Sequence, residues 1–372
     1  MDLLDVGLVV AGLVLLVAGG EGLVRGASSI AHRLGMSPIV VGLTIVAFAT
    51  SSPELAVSVG AVLRDEPEIA VGNVVGSNIA NVLLILGISA LILPLLARRR
   101  LVKIDVPVMV ALSILLLVLA LDGRISTVDG ALLLVIVLAH MAWSVWSGMR
   151  GGTAEPAEPD AAGTAGTQER VLGWLPALAL VLGGVGLLVL GSQWLVSGAS
   201  DIARSLGLSN LVIGLTVVAI GTSLPELAAS VVAVRQGERD LAVGNIVGSN
   251  IVNIGIVLGL PAIIAGGGIP VPSAAIALDI PLMIASAIAL APIVFTGFLI
   301  KRWEGGLFLA LYVSYVVYLV LWATSHSALE GFTLVMSVFV LPIVALTFLL
   351  LVAYEVGLRR GRTQGAARVR AE

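Results

Sequence analysis

One stretch of thirteen residues occurs twice in this chain, and its placement constrains the fold more than any other feature. Gly42 to Glu54 reads GLTIVAFATSSPE, and Gly214 to Glu226 reads GLTVVAIGTSLPE, identical at nine of thirteen positions. A second block follows each copy: Ala70 to Asn81, AVGNVVGSNIAN, is matched at ten of twelve positions by Ala242 to Asn253. Both pairs share an offset of 172 residues, so the chain is a duplication, and each half must build the same unit.

That unit is a membrane unit. Hydrophobic residues make up 59% of the chain, charged residues 12%, and the mean hydropathy is +1.12, too apolar for a soluble core. Apolar runs of about 20 residues, the length that spans a bilayer, fall near 3–26, 38–63, 69–93, 104–121, 128–149, 172–197, 211–234, 241–264, 274–300, 305–323 and 332–356. The start lacks the basic region of a cleaved signal peptide and reads as a retained first helix. Between Arg150 and Arg170 lies a polar stretch rich in Gly, Ala, Thr, Pro and acidic residues, which reads as a solvated linker. The expected fold is an all-α polytopic membrane protein of about eleven transmembrane helices, with two inverted five-helix repeats plus an additional C-terminal helix. The expected division is 1–149, first repeat; 150–171, flexible cytoplasmic linker; 172–323, second repeat; and 324–372, extra helix and basic tail.

Inversion follows from parity. Five crossings per half make the second copy enter the membrane upside down, the architecture in which a substrate site sits near the midplane between repeats. Seventeen Lys and Arg residues lie on the side reached after odd-numbered helices and three, Arg64, Arg124 and Arg204, on the other. This predicts a protein of the cell (inner) membrane with its N-terminus outside and its linker and C-terminus in the cytoplasm.

Glu54 and Glu226 fall well inside apolar segments, where a carboxylate costs about 2.5 to 3.5 kcal/mol on insertion scales and needs a partner. Pro53 and Pro225 precede them and should open the helix, freeing the carbonyls of Ala49 and Gly221. Thr50, Ser51, Thr222 and Ser223 stand beside the prolines. In the next helix of each half Asn73, Ser77 and Asn81, and Asn245, Ser249 and Asn253, recur at i, i+4 and i+8 on one face. These are hard oxygen donors, suited to Ca2+ and, in smaller subsets, to Na+, and unsuited to zinc or copper. Two negative charges match one divalent or two monovalent ions, the physical basis of exchange. With no cysteine, thiolate metal sites and thiol catalysis are excluded. No catalytic or cofactor-binding residue, and no nucleic-acid partner, is expected. His32, His140 and His326 read as interfacial, Glu21 as facing the pathway or snorkelling, and Arg98, Arg99 and Arg100 as topology anchors.

At these residues the sequence resembles the prokaryotic type of sodium/calcium exchanger family within the cation/Ca2+ antiporter superfamily, whose mark is two inverted repeats carrying blocks of this pattern. The resemblance is carried by the second, third, seventh and eighth helices; the eleventh and the tail fall outside it. It implies a secondary antiporter that exchanges Ca2+ for Na+ by alternating access. Glu54 and Glu226 would be the central carboxylates shared by both ions, with Thr50, Ser51, Ser77, Asn81, Thr222, Ser223, Ser249 and Asn253 lining the same cluster. It also implies that the first and sixth helices slide across the rest. Some members carry an aspartate where this chain has Asn253, which leans toward independence from K+. A Ca2+/H+ exchanger, a K+-dependent Na+/Ca2+ exchanger, and, from another class, a cation channel or non-transporting membrane protein remain the competing readings.

Overall fold

The computed structural model describes residues 3–150, 171–290 and 299–347, with 349, 350, 353, 354 and 357 beyond them. The expected linker falls almost wholly outside the described residues, as does the arginine-rich tail.

The apolar runs fold as helices: α1 (Leu3–Leu34), α2 (Pro38–Thr50), α3 (Ser52–Leu63), α4 (Glu68–Ile92), α5 (Leu101–Ala120), α6 (Thr127–Arg150), α7 (Trp174–Ser205), α8 (210–221), α9 (Leu224–Arg235), α10 (Arg239–Ile264), α11 (Ala275–Ile288), α12 (Arg302–Ala323) and α13 (Leu329–Thr347). Among the described residues eight are long and apolar enough to cross a membrane alone, and α2 with α3, bent by 41° at Ser51, makes a ninth. The remaining two expected segments are α8 with α9, interrupted at Thr222 and Ser223, and the shorter apolar α11. The α4 and α10 windows are the most deeply enclosed, whereas α13 has none of its window buried and lies beside α12.

The duplication survives in three dimensions. Wider π-helical turns open at Gly42–Val46 and Gly214–Val218, and again at Asn81–Ile85 and Asn253–Leu258; such turns cluster at functional sites. Four two-residue strands tie the halves together: β1 (Leu95–Leu96) pairs antiparallel with β4 (Leu299–Ile300), and β2 (Arg124–Ile125) with β3 (Ile269–Pro270). Exchanging the halves turns the first pair into the second, as a two-fold axis requires. Near β1 the Arg98 guanidinium pairs with Asp240, so Arg98, expected as a topology anchor, is an ion-pair partner between the halves.

Asp105 and Asp279 end matching π turns, Leu101–Asp105 and Ala275–Asp279, and each meets a side chain from the helix that follows. Asp279 accepts the Tyr315 hydroxyl at 3.2 Å, and Asp105 lies 3.2 Å from His140 Nε2. His140 therefore sits mid-helix against a buried carboxylate, contrary to the interfacial placement expected of it; its periodicity on α6 could not reveal a partner on α5.

α1 and α7 run antiparallel along a glycine seam. A Cβ on Gly12 would stand 2.7 Å from the Gly191 carbonyl, one on Gly19 2.7 Å from that of Gly184, and one on Gly26 2.6 Å from that of Ala177. Glycines seven residues apart stay on one seam, and without side chains the two backbones touch. Gly184→Leu is expected to force the helices apart and lower stability by about 1 to 3 kcal/mol, read as a lower thermal midpoint in detergent. Gly183→Leu, where an added Cβ meets nothing within 4 Å, should leave that midpoint unchanged.

Candidate cation site

The break between α2 and α3 falls at Ser51, whose φ of −81° and ψ of 4° end the helical path, and the break between α8 and α9 places Ser223 at −90° and 7°. Pro53 and Pro225 then occupy the first turn of α3 and α9, where a missing N–H leaves no helical bond unmade. The helical path is opened beside each proline, two residues before it, so that the prolines begin new helices, and Ala49 and Gly221 lie in the last turns before the breaks. Glu54 and Glu226 come in the first turns of α3 and α9, where the helix dipole favours a carboxylate.

Both carboxylates are fully buried, at 0% exposure. Neither Glu54 oxygen has a hydrogen-bond partner; Glu226 accepts one bond through Oε1, from Ser51 Oγ of the other repeat at 3.4 Å, and its Oε2 has none. Asn81 Oδ1, Asn253 Oδ1 and Ser223 Oγ are also buried and unpartnered. Buried polar atoms are normally paired, and an unpaired one costs about 1 to 3 kcal/mol. Every unpartnered atom in this group is an oxygen.

The nitrogens, by contrast, are all engaged. Asn73 Nδ2 donates to the Glu54 backbone carbonyl and to Ser58 Oγ, both at 3.0 Å, and Asn245 Nδ2 donates to Ser230 Oγ at 3.1 Å. Asn81 Nδ2 donates to Asn250 Oδ1 and Asn253 Nδ2 to Asn78 Oδ1, each at 3.1 Å, and Asn253 Nδ2 also reaches Ser77 Oγ at 3.1 Å. The cluster therefore turns its amide N–H groups away and leaves oxygens facing inward, the arrangement that suits a cation.

The expected ladders divide into two kinds of residue. Asn81 and Asn253 keep an unpartnered oxygen, whereas Asn73 braces α3 and Asn245 is engaged at both ends, its Oδ1 accepting from Thr50 Oγ1 at 3.1 Å. Ser77 Oγ donates to the Asn73 carbonyl at 2.7 Å, and Ser249 Oγ lies 3.5 Å from Thr50 Oγ1. Thr222 is half-buried. Ser58, Ser230, Asn78 and Asn250 were missed from the sequence, although each pair sits at the same 172-residue offset. No group of three or more His, Cys, Asp or Glu side chains that could hold a metal occurs among the described residues, so a cation here would depend on amide, hydroxyl and backbone oxygens beside the two carboxylates.

The halves part company at one contact. A Cβ on Gly42, Gly244 or Gly248 would stand 2.6 Å from a backbone carbonyl across the α2–α10 interface, whereas the counterparts Gly214, Gly72 and Gly76 meet nothing within 4 Å. Val46 is 1% exposed and its counterpart Val218 44%. α2 is thus pressed onto α10, and α8 stands away from α4. The cysteine-free chain permits a direct check: Gly76→Cys should react with a water-soluble thiol reagent while Ala47→Cys, fully buried against Gly248, stays protected.

A two-fold pair of broken helices around buried, oxygen-facing carboxylates defines a membrane transporter built from inverted repeats. A family model described as sodium/calcium exchanger protein matches residues 4–146 and 176–321, and the chain belongs to that family. It is similar to the putative antiporter CaxA of Alkalimonas amylolytica, 42% identical over 286 residues covering 76% of this chain and 87% of the relative. The sodium/calcium exchanger MaX1 of Methanosarcina acetivorans is 38% identical over 339 residues, 83% of this chain and 96% of that protein. Among solved structures, the sodium-calcium exchanger NCX_Mj superposes with a TM-score of 0.72 at 32% identity, covering 86% of this chain and all of that one.

Proposed function

We propose that the protein is a secondary antiporter that exchanges Ca2+ for Na+ across the cell (inner) membrane by alternating access. The observation that carries this reading is the pair of fully buried carboxylates ringed by unpartnered oxygens. Glu54 and Glu226 are the charges that one Ca2+ or two Na+ would neutralise. Asn81, Asn253 and Ser223 offer their free oxygens to the transported ion, with Ser51, Thr50, Ser77, Ser249 and Thr222 as hydroxyl donors around them and the chain at Ala49 and Gly221 as the source of backbone oxygen. Asn73 and Asn245 contribute by holding the site's frame. Because either ion set satisfies the same oxygens, the two compete, and competition at one site is what couples their movements.

Eleven crossings fit the strand pairing. β1 and β4 are separated by α5, α6, α7, α8 with α9, α10 and the segment containing α11; β2 and β3 by α6, α7, α8 with α9, and α10. Paired strands must lie on one side, so each set must contain an even number of crossings, and both do when the broken α8–α9 and the α11 segment each span. The domain division into repeats 1–149 and 172–323, joined by linker 150–171 and followed by 324–372, rests on the same count.

With the basic side cytoplasmic, the tight α2–α10 contact lies on the cytoplasmic side and the loose α8–α4 contact outside. The form described is then outward-facing, and the inward-facing form would tighten α8 on α4 and release α2 from α10. Such a switch needs no change of secondary structure, only a second packing of the same elements.

Purified protein in liposomes should take up Ca2+ when an opposing Na+ gradient is imposed, without K+ and with no pH gradient. Uptake driven by a pH gradient and indifferent to Na+ would replace this reading with Ca2+/H+ exchange, and a K+ requirement with the K+-dependent type. Glu54→Gln or Glu226→Gln should abolish Na+-driven uptake in folded protein, the loss reaching at least about 100-fold, since a neutral amide cannot supply the buried charge that a desolvated Ca2+ requires. Wild-type flux in either variant would remove that carboxylate from the site.

A further inference from the structure

An asparagine side chain presents a carbonyl and an amino group of nearly the same shape, and only its hydrogen-bond partners decide which faces where. At Asn81 and Asn253 the choice matters: a carbonyl turned toward the two carboxylates attracts a cation, while an amino group there would repel it. Something must hold both amides the right way round before any ion arrives.

We propose that Asn78 and Asn250, backed by Met283 and Met109, are positioning residues that hold the Asn253 and Asn81 carbonyls toward the transported ion; this rests on the reading of the site as the cation site. Asn78 Oδ1 accepts from Asn253 Nδ2, and Asn250 Oδ1 accepts from Asn81 Nδ2, both at 3.1 Å. Each acceptor belongs to the other repeat, so each half orients the ligand of its partner. The polarity is passed back one step further. Asn78 Nδ2 donates to the Asn250 backbone carbonyl at 3.2 Å and to Met283 Sδ at 3.6 Å, and Asn250 Nδ2 donates to Met109 Sδ at 3.3 Å. A thioether and a backbone carbonyl only accept; they can face the amino end of Asn78 or Asn250 and not its oxygen.

Two chains of fixed polarity result. One runs from Met283 on α11 through Asn78 on α4 to Asn253 on α10; the other runs from Met109 on α5 through Asn250 on α10 to Asn81 on α4. Asn78, Asn81, Asn250 and Asn253 are all at most 2% exposed, so water cannot compete for these bonds. The end of each chain is an unpartnered oxygen, Asn253 Oδ1 or Asn81 Oδ1. Packing alone gives no reason for a sulfur at both methionine positions, because leucine is of similar volume and equally apolar; a requirement for an acceptor-only atom does. Asn78 and Asn250 lie inside the duplicated GSN sequence, yet they belong to no i+4 ladder, since their task lies across the repeat interface.

The test is equilibrium Ca2+ binding by calorimetry on the purified full-length protein in detergent at fixed pH without Na+. Asn78→Ala should weaken Ca2+ binding about 10-fold or more, the range found when groups that orient metal ligands are removed. Met283→Leu, which conserves volume, should weaken it in the same direction by less while leaving the thermal midpoint within a few degrees. The discriminating arm is Asn253→Asp: a carboxylate offers an oxygen in either rotation and needs no orienting partner. Adding Asn78→Ala to Asn253→Asp should therefore change Ca2+ affinity by less than about twofold, whereas a purely structural role for Asn78 would cost the same factor in both backgrounds. Equal losses in the two backgrounds, or unchanged affinity in Asn78→Ala, overturn the positioning role alone. Absence of Ca2+ binding by the wild-type protein overturns the cation-site reading and the positioning role with it.

Discussion

Two carboxylates held out of water with most of their oxygens unpaired are the interaction on which this molecule depends. Burying Glu54 and Glu226 at 0% exposure is unfavourable by several kcal/mol per charge unless something compensates. Among the described residues no lysine or arginine is paired with either carboxylate: neither Glu54 oxygen has a partner, and Glu226 accepts only from the Ser51 hydroxyl. On the proposed reading the compensation is deferred to an ion, which would make the stability of the central region conditional on cargo. A site that is uncomfortable without a cation and comfortable with either of two kinds is one that exchanges them.

The rest of the fold serves that arrangement. Breaking each carboxylate-bearing helix at Ser51 or at Thr222 and Ser223 lets the glutamate start a fresh helix whose dipole favours its charge. Asn73 and Asn245 anchor those new helices through Ser58 and Ser230, and the crossing strands hold the halves in register at both ends. The glycine seam joins α1 to α7 into one antiparallel pair, which gives the two halves a shared element outside the helices that carry the candidate site residues.

Much of this was legible in the residues. The offset of 172 located both carboxylates, both helix breaks and both asparagine rows, because chemistry placed at equivalent positions in a duplicated unit is visible without tertiary structure. Which asparagine of each row keeps a free oxygen was not legible: Asn73 and Asn81 share a helical face, and only the neighbouring α3 and α10 distinguish them. The bond from Ser51 to Glu226 and the pairing of His140 with Asp105 lie across helices whose contacts no periodicity encodes. The asymmetry between Gly42 and Gly214 was beyond reach for a deeper reason. Stretches identical at nine of thirteen and ten of twelve positions occupy different packings, a difference that the proposed alternating access assigns to conformational state.

The central claim is that one set of oxygens takes either Ca2+ or Na+ and never both. Equilibrium Ca2+ binding measured across a Na+ series tests it most directly. The account predicts that the apparent Ca2+ dissociation constant rises steeply with Na+, more than in proportion to its concentration, with no loss of maximal binding. A Ca2+ affinity that stays constant while Na+ also binds would contradict it.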